Sequence, residues 1–361
     1  MRVLLDCRMA TWTGVGRYST GLVRALALRD DLDLVCVMAT GEDSPAPGLH
    51  AVAAEAGPFS PRGMAELGRI VKHVAPDVTH CLHFPTPLPA RHPLVVTLHD
   101  LTPLLVDGSM PSPWRRVVYR AFNRRAAGVA DAIVCPSTHT CADVERLLPA
   151  ARGKTNAVLL SADDFASGPV ATLGGTLAEA TRAPYLLSMG STKPHKDLPT
   201  LLRAFARLEA AHPELQLLLV GADAPGFIAA TLPDEPAAVR SRIAFTGRVT
   251  DAELRALYAG ARAFAFPSRY EGFGLPPLEA MALGAPVVVA HAASLPEVVG
   301  EAALLHPAGD DLALATALER VLADDELRER LIAAGRARAA ELTWDAAARA
   351  TIDVYRSVVR G

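Results

Sequence analysis

Short continuous apolar runs alternate with longer amphipathic segments along the 361 residues of the chain. Unbroken apolar runs of four to eight residues suit strands buried on both faces, so the alternation predicts parallel sheets covered by helices. In the first half the strands are expected at "RVLLD", "LDLVCVMA", "DVTHCL", "LVVTLH", "AIVCPS" and "NAVLL", with helices over "RYSTGLVRALALR" and "SPRGMAELGRIVKHV" between them. From Asp163 to Pro184 the text becomes rich in Gly, Ala, Ser and Thr, which reads as an interdomain connection. The same alternation then restarts: "YLLSMG", helix "DLPTLLRAFARLEAAH", "LQLLLVG", "IAFTG", helix "DAELRALYAGA", "AFAFPS", helix "PPLEAMALG" and "PVVVA". Two doubly wound halves are therefore expected, residues 1–165 and 184–343, joined by 166–183. Such halves bind ligands outside the carboxyl ends of their strands, so a shared cleft is the expected active site. The last segment predicts a helix over 344–361, with Thr343 as its N-cap and Trp344, Ala348, Ile352, Tyr355 and Val359 near one face, returning to the first domain.

Composition narrows the function classes. Half the residues are apolar and the formal net charge is −3, so bulk attraction to nucleic acid is not expected. The longest apolar runs fall far short of the roughly 20 residues that cross a bilayer. Asp6 and Arg8 interrupt the N-terminal apolar run before a signal sequence takes shape, which predicts a cytoplasmic location. Five cysteines, Cys7, Cys36, Cys81, Cys135 and Cys141, show no metal-binding spacing and read as reduced thiols.

The chemistry concentrates in "SRYEGFGLPPLEAMALG", Ser268 to Gly284. A strand, a glycine loop and a helix with proline in its first turn follow one another there, with Glu271 in the loop and Glu279 in the helix. Gly272 and Gly274 let backbone approach a ligand, the helix N-terminus favours phosphate, and an acceptor-only carboxylate suits the paired hydroxyls of a ribose. Taken singly, Glu279 also reads as a helix-dipole partner and Glu271 as a solvated loop residue. In combination they fit a nucleotide diphosphate sugar.

"EGFGLPPLE" resembles the E-x7-E motif of retaining glycosyltransferases of family 4, whose GT-B fold pairs two Rossmann-like domains. The likeness extends to "TGVGRYSTGLVRAL", "VVTLHDLTPLL", "IVCPSTHTCADV", "GSTKPHKDLPTLLRAF", "FTGRVTDAELRALYAGA" and "GAPVVVAHAASLPEVVGEAALL". It implies that Glu279 binds the ribose, that Glu271 with the backbone of Gly272, Phe273, Gly274 and Leu275 holds donor sugar and phosphates, and that Lys196 neutralises the diphosphate. It further implies that His99 faces the donor sugar, that Gly14 and Gly16 form a loop near the phosphate, that Ser137 has a lesser part, and that Gly247, Arg248 and Val249 read the base. The sequence departs from the family where "KPHKD" replaces "EPRKN" and Ser191 follows Gly190 in place of Arg. Lys193 then either supplies the missing charge or is a solvated loop residue.

The implied activity is sugar transfer with retention from a nucleotide diphosphate sugar, GDP-mannose or another hexose donor, to an acceptor hydroxyl on a glycan, lipid-linked or small molecule. No metal or other cofactor is expected. An epimerase or phosphorylase on the same scaffold is the alternative. A nicotinamide oxidoreductase fits less well, because seven residues separate Asp6 from Gly14 and the dinucleotide fingerprint needs its first glycine at the strand end. A sugar-nucleotide sensor without turnover would not need His99, Lys196, Glu271 and Glu279 together. His80 and His83 form HxxH without further ligands, and Asp31-Leu-Asp33 lies in a connection expected to face away from the cleft, so neither predicts a metal. Finally, "PWRRVVYRAFNRRAAG" carries Arg115, Arg116, Arg120, Arg124 and Arg125 with no acid. With Trp114, Val117, Val118 and Ala121 opposite, it reads either as the solvated face of a core-packed helix or as contact with an anionic membrane.

Overall fold

The computed structural model describes every residue except Thr13, His92, Pro111, Ala222, Asp223, Pro225 and Gly361. Two compact units result. The first comprises Met1–Leu105, Met110–Ser161 and Thr343–Gly361, the second Val106–Ser109 and Ala162–Leu342.

The first unit is built on β1 (Arg2–Asp6), β2 (Asp33–Ala39), β3 (His50–Ala54), β4 (Val78–Cys81), β5 (Leu94–Thr97), β6 (Ala132–Cys135) and β7 (Thr155–Ala157). They form one sheet in the order β3-β2-β1-β4-β5-β6-β7, parallel throughout. β4, β5 and β6 are buried at every position; β5 and β6 are mainly apolar, as two-sided burial favours, whereas β4 also buries Thr79 and His80. β3 was not anticipated: "HAVAA" is a sheet edge with three of five residues exposed, and three of the five are small alanines.

The C-terminal helix Trp344–Arg360 belongs to this unit. Thr343 caps it, accepting from the Ala346 amide at 3.1 Å, and Trp344, Ala348, Ile352 and Tyr355 are buried, whereas Val359 is exposed. Its packing on the helix Val15–Ala27 uses a missing side chain. A Cβ on Gly21 would lie 2.1 Å from Trp344 Cε2, so the indole occupies the room that only glycine leaves.

The second unit holds β8 (Tyr185–Met189), β9 (Gln216–Val220), β10 (Ile243–Gly247), β11 (Ala263–Phe266), β12 (Val287–Ala290) and β13 (Leu304–His306) in the parallel order β10-β9-β8-β11-β12-β13. In the helix Leu198–Arg207, Leu198, Leu201, Leu202 and Phe205 follow the i, i+3, i+4, i+7 rule and are all buried in a core with Leu217, Leu219, Val288 and Leu318.

The connection differs from expectation. The division falls after Ser161, so residues 162–165 leave the first unit, and the segment foreseen as a linker is part of the second. It forms short helices at Asp163–Ala166 and Gly175–Ala180. Arg255 holds it, donating to Phe165 O at 3.1 Å and Pro169 O at 2.7 Å, and its guanidinium fills the space beside Gly168.

The arginine-rich helix spans Pro113–Val129. Trp114, Val117 and Ala121, which the core-packing reading of this helix would bury, are exposed, Trp114 to 71% and Val117 to 57%. Its core side is Asn123, Ala126 and Ala127. Arg116 and Arg125 turn back onto carbonyls of Leu104 and Pro87, which leaves Arg115, Arg120 and Arg124 exposed beside the two large apolar residues.

Candidate functional site

In the second unit the donor-site residues of the sequence gather at the carboxyl ends of adjacent strands. After β8 the chain passes Gly190, makes a tight turn at Pro194–Lys196 and reaches Asp197 with φ of 46°. After β11 it runs through Ser268 and Arg269 to Glu271. Lys196 Nζ lies 2.6 Å from Glu271 Oε1, and the Ser268 hydroxyl donates to the same oxygen at 2.6 Å. Glu271 Oε2 is thereby left to accept from other hydroxyls. The ion pair is largely shielded, with side-chain exposures of 21% and 16%, and Lys196 also stands 5.3 Å from the centre of the Phe266 ring.

A second link ties the same two loops. Arg269 Nε donates to Asp197 Oδ2 at 2.7 Å, and the Arg269 amide donates to His195 O at 2.7 Å. Asp197 also accepts from the Thr200 hydroxyl at 2.8 Å. His195 and Asp197, noted as departures from the family pattern, therefore have local partners. Arg269 was not foreseen, since it stands 72 residues from Asp197 and sequence gives no measure of that approach. Lys193 is exposed, and its carbonyl accepts from the Lys196 amide at 3.0 Å.

The glycine loop is fixed from behind. Ser294, fully buried, places its hydroxyl 2.9 Å from Glu271 O and 2.7 Å from Phe273 O. Gly274 has φ of 115°, and a Cβ there would lie 2.8 Å from Leu295 Cδ2, so both conformation and space demand glycine. The helix Leu275–Ala282 begins with Pro276 and Pro277 in its first turn. Proline has no N–H, so the amides this terminus can offer an anion narrow to those around Gly274 and Leu275. Glu279 is buried, and its Oε2 lies 3.2 Å from the Tyr258 hydroxyl. At the neighbouring strand ends Gly247 has φ of 70°, Arg248 is exposed and Val249 half-buried. The Gly221 amide donates to Gly247 O at 3.2 Å, and a Cβ on Gly221 would lie 2.2 Å from Gly190 O.

In the first unit His99 follows β5. Its Nε2 lies 2.9 Å from Leu82 O, and a carbonyl only accepts, so Nε2 carries the proton and neutral His99 keeps Nδ1 bare. Burial pushes its pKa down, opposed by that carbonyl and by Asp100. The ring meets Tyr18 edge-on at 4.8 Å and lies 5.3 Å from His83. Gly14, with φ of 72°, caps the helix that carries Tyr18, and Gly16 is needed because a Cβ would lie 2.4 Å from Ala10 O. Ser137 has a structural part: fully buried, it caps the helix Thr138–Leu147 by accepting from the Thr140 amide at 3.0 Å.

His80 and His83 do not converge as ligands. His80 uses both nitrogens, toward Tyr355 at 2.7 Å and Thr97 at 2.8 Å, while His83 Nδ1 accepts from the Phe84 amide at 2.7 Å. Among the described residues no group of three or more His, Cys, Asp or Glu is placed to hold a metal. Asp31 pairs with Arg356 and Asp33 with Arg2.

Two family descriptions match the chain, "Glycosyl transferases group 1" over residues 175–338 and "Glycosyltransferase Family 4" over residues 12–158. The chain is 32% identical over 268 residues to the O-antigen chain mannosyltransferase B of Escherichia coli, covering 73% of this chain and 70% of that one. Among solved structures it superposes on sucrose-phosphate synthase of Thermosynechococcus elongatus with a TM-score of 0.80 and 21% identity, covering 100% of this chain and 99% of that one. It also superposes on Anabaena Alr3699/HepE in complex with UDP and glucose, with a TM-score of 0.73 and 17% identity over 99% and 100% of the two chains. At these identities the structural likenesses bear on the fold.

The buried histidines make stability depend on acid. Burial lowers the His80 pKa from 6.5 to about 3, so between those values the unfolded chain binds a proton that the folded chain refuses. Stability is therefore full above pH 6.5 and lost as pH falls toward 3, at up to about 1.4 kcal/mol per pH unit for this group. Urea unfolding between pH 7 and pH 4 should show that decline, and His80→Gln should flatten it. An equal slope in the variant would assign the acid sensitivity elsewhere.

Proposed function

The chain belongs to glycosyltransferase family 4 and has its GT-B fold, and we propose that it transfers a hexose with retention from a nucleoside diphosphate sugar to an acceptor hydroxyl without a metal ion. The Lys196–Glu271 pair at the ends of β8 and β11 carries this reading. Lys196 has three N–H donors and uses one on Glu271, so the others are available to diphosphate oxygens. As the bond from the anomeric carbon to the phosphate oxygen breaks, negative charge grows on the diphosphate where Lys196 stands, which favours the transition state over the ground state. Glu271 Oε2 accepts from hydroxyls of the transferred sugar, Glu279 from the ribose, and backbone of Gly272 to Leu275 and Gly247 to Val249 lines the phosphates and base. Lys193, exposed on the same loop, adds positive charge toward the phosphates.

Retention follows if the acceptor oxygen bonds to the anomeric carbon on the face the diphosphate leaves. The acceptor proton passes to the departing phosphate oxygen, so no side chain becomes a covalent nucleophile and none need act as base. In the first unit His99 and the Gly14–Gly16 loop serve the donor sugar and phosphate. GDP-mannose is the leading donor, supported by the mannosyltransferase relative, and a glycan or lipid-linked acceptor agrees with it. A UDP sugar is the competitor, since a structural neighbour holds UDP and glucose.

Calorimetric titration with GDP, UDP and their sugars in EDTA tests the division between the glutamates. Glu279→Ala should weaken nucleoside diphosphate and nucleotide sugar alike, by about ten-fold or more for the loss of a hydrogen bond to a charged group. Glu271→Ala should weaken the sugar-bearing donor and its turnover while sparing the bare diphosphate. Unchanged binding in both variants would reject the assignment.

No helix among the described residues is long and apolar enough to cross a membrane. The exposed Trp114 and Val117, flanked by Arg115, Arg120 and Arg124, support docking of the first unit on an anionic membrane surface, where a lipid-linked acceptor would be met. The protein should sediment with vesicles containing phosphatidylglycerol and lose that binding in Trp114→Ser/Arg120→Glu/Arg124→Glu. Equal sedimentation of the variant would discard the membrane role.

A further inference from the structure

A run of polar groups lies inside the apolar core of the first unit, and the reaction as described makes no use of it. Tyr355, His80, Thr97 and Tyr18 are all at most 1% exposed. The Tyr355 hydroxyl lies 2.7 Å from His80 Nδ1, His80 Nε2 lies 2.8 Å from Thr97 Oγ1, and Thr97 Oγ1 lies 2.8 Å from the Tyr18 hydroxyl. The string crosses four elements, from the C-terminal helix through β4 and β5 to the helix Val15–Ala27. Its last member touches His99 directly, edge to face at 4.8 Å.

We propose that Tyr355, His80, Thr97 and Tyr18 are positioning residues that fix the ring of His99 toward the donor sugar, a role that rests on the reading of His99 given above. Each bond in the string narrows the next. Neutral His80 has one N–H, so it donates on one side and accepts on the other, and both hydroxyls bonded to it are oriented by that choice. Thr97 is thereby held against Tyr18, and Tyr18 can no longer turn away from His99. His99 is then fixed at two points, by its Nε2–H on Leu82 O and by the Tyr18 ring, which leaves bare Nδ1 in one direction. A core of the same shape could be built from Phe, Leu and Val without desolvating four polar groups. A fully satisfied polar string holds rings in one orientation, which apolar packing alone does less well.

The experiment combines kinetics with spectroscopy on the full chain. Initial rates of nucleoside diphosphate release from GDP-mannose and UDP-glucose are measured for Tyr355→Phe, Thr97→Val, Thr97→Ser, His99→Ala and the double variant Tyr355→Phe/His99→Ala. Tyr355→Phe and Thr97→Val should lower kcat about ten-fold with donor KM within about two-fold, Thr97→Ser should restore it, and the double variant should be no slower than His99→Ala. In protein labelled with ¹⁵N-histidine, His99 should show one tautomer protonated at Nε2, broadened by exchange in Tyr355→Phe and Thr97→Val and restored in Thr97→Ser.

Losses that multiply in the double variant, or His99 resonances unchanged in both string variants, would overturn the positioning role while leaving the function of His99 intact. A wild-type rate in His99→Ala would instead remove the premise, and the proposal with it. Should a variant's rate fall below detection, the histidine spectra alone decide.

Discussion

Parallel strands that lie side by side must deliver their chains to the same edge of the sheet, and the second unit depends on that constraint. β8 and β11 are neighbours, so Lys196 and Glu271, 75 residues apart in sequence, come within 2.6 Å. The loops that carry them are tied again by Arg269 to Asp197 and by the Arg269 amide to His195. Exposed ion pairs of this kind contribute little to stability, but a shielded one with an added serine donor fixes direction. Oriented, partly desolvated charge is what departure of a diphosphate requires.

The two units work with different chemistry. The second offers a cation, two carboxylates and glycine backbone at its strand ends. The first holds neutral imidazoles: burial keeps His80, His83 and His99 uncharged, and hydrogen bonds set their orientation. The C-terminal helix takes part by two contacts of opposite character, Trp344 in the space beside Gly21 and Tyr355 on His80. The end of the chain is thus built into the unit that carries His99.

Inner strands were legible because apolar residues fill most of their positions, although β4 and β5 also bury Thr79, His80 and Thr97, and the glycine and glutamate loop was legible because its residues are contiguous. Edge strands were not. β3 and β13 are short and partly exposed, and β13 has only three residues. The segment after Ser161 looked like a linker by composition, yet Arg255, some ninety positions away, binds it into the second unit. On the helix Pro113–Val129 the sequence left two readings open, and the core-packing one fails for Trp114, which faces out while small Ala126 and Ala127 pack inward. Partners such as Tyr258 for Glu279, Ser294 for the glycine loop and Arg269 for Asp197 depend on distance in space, which spacing along a chain does not record.

Metal-free transfer with retention, centred on Lys196 and Glu271, fixes the anomeric configuration of the product. Proton NMR of the first glycoside formed from an α-linked nucleoside diphosphate hexose with EDTA present reads that configuration. An α-linked product is the predicted result. A β-linked product, or no product until a divalent ion is restored, would contradict it.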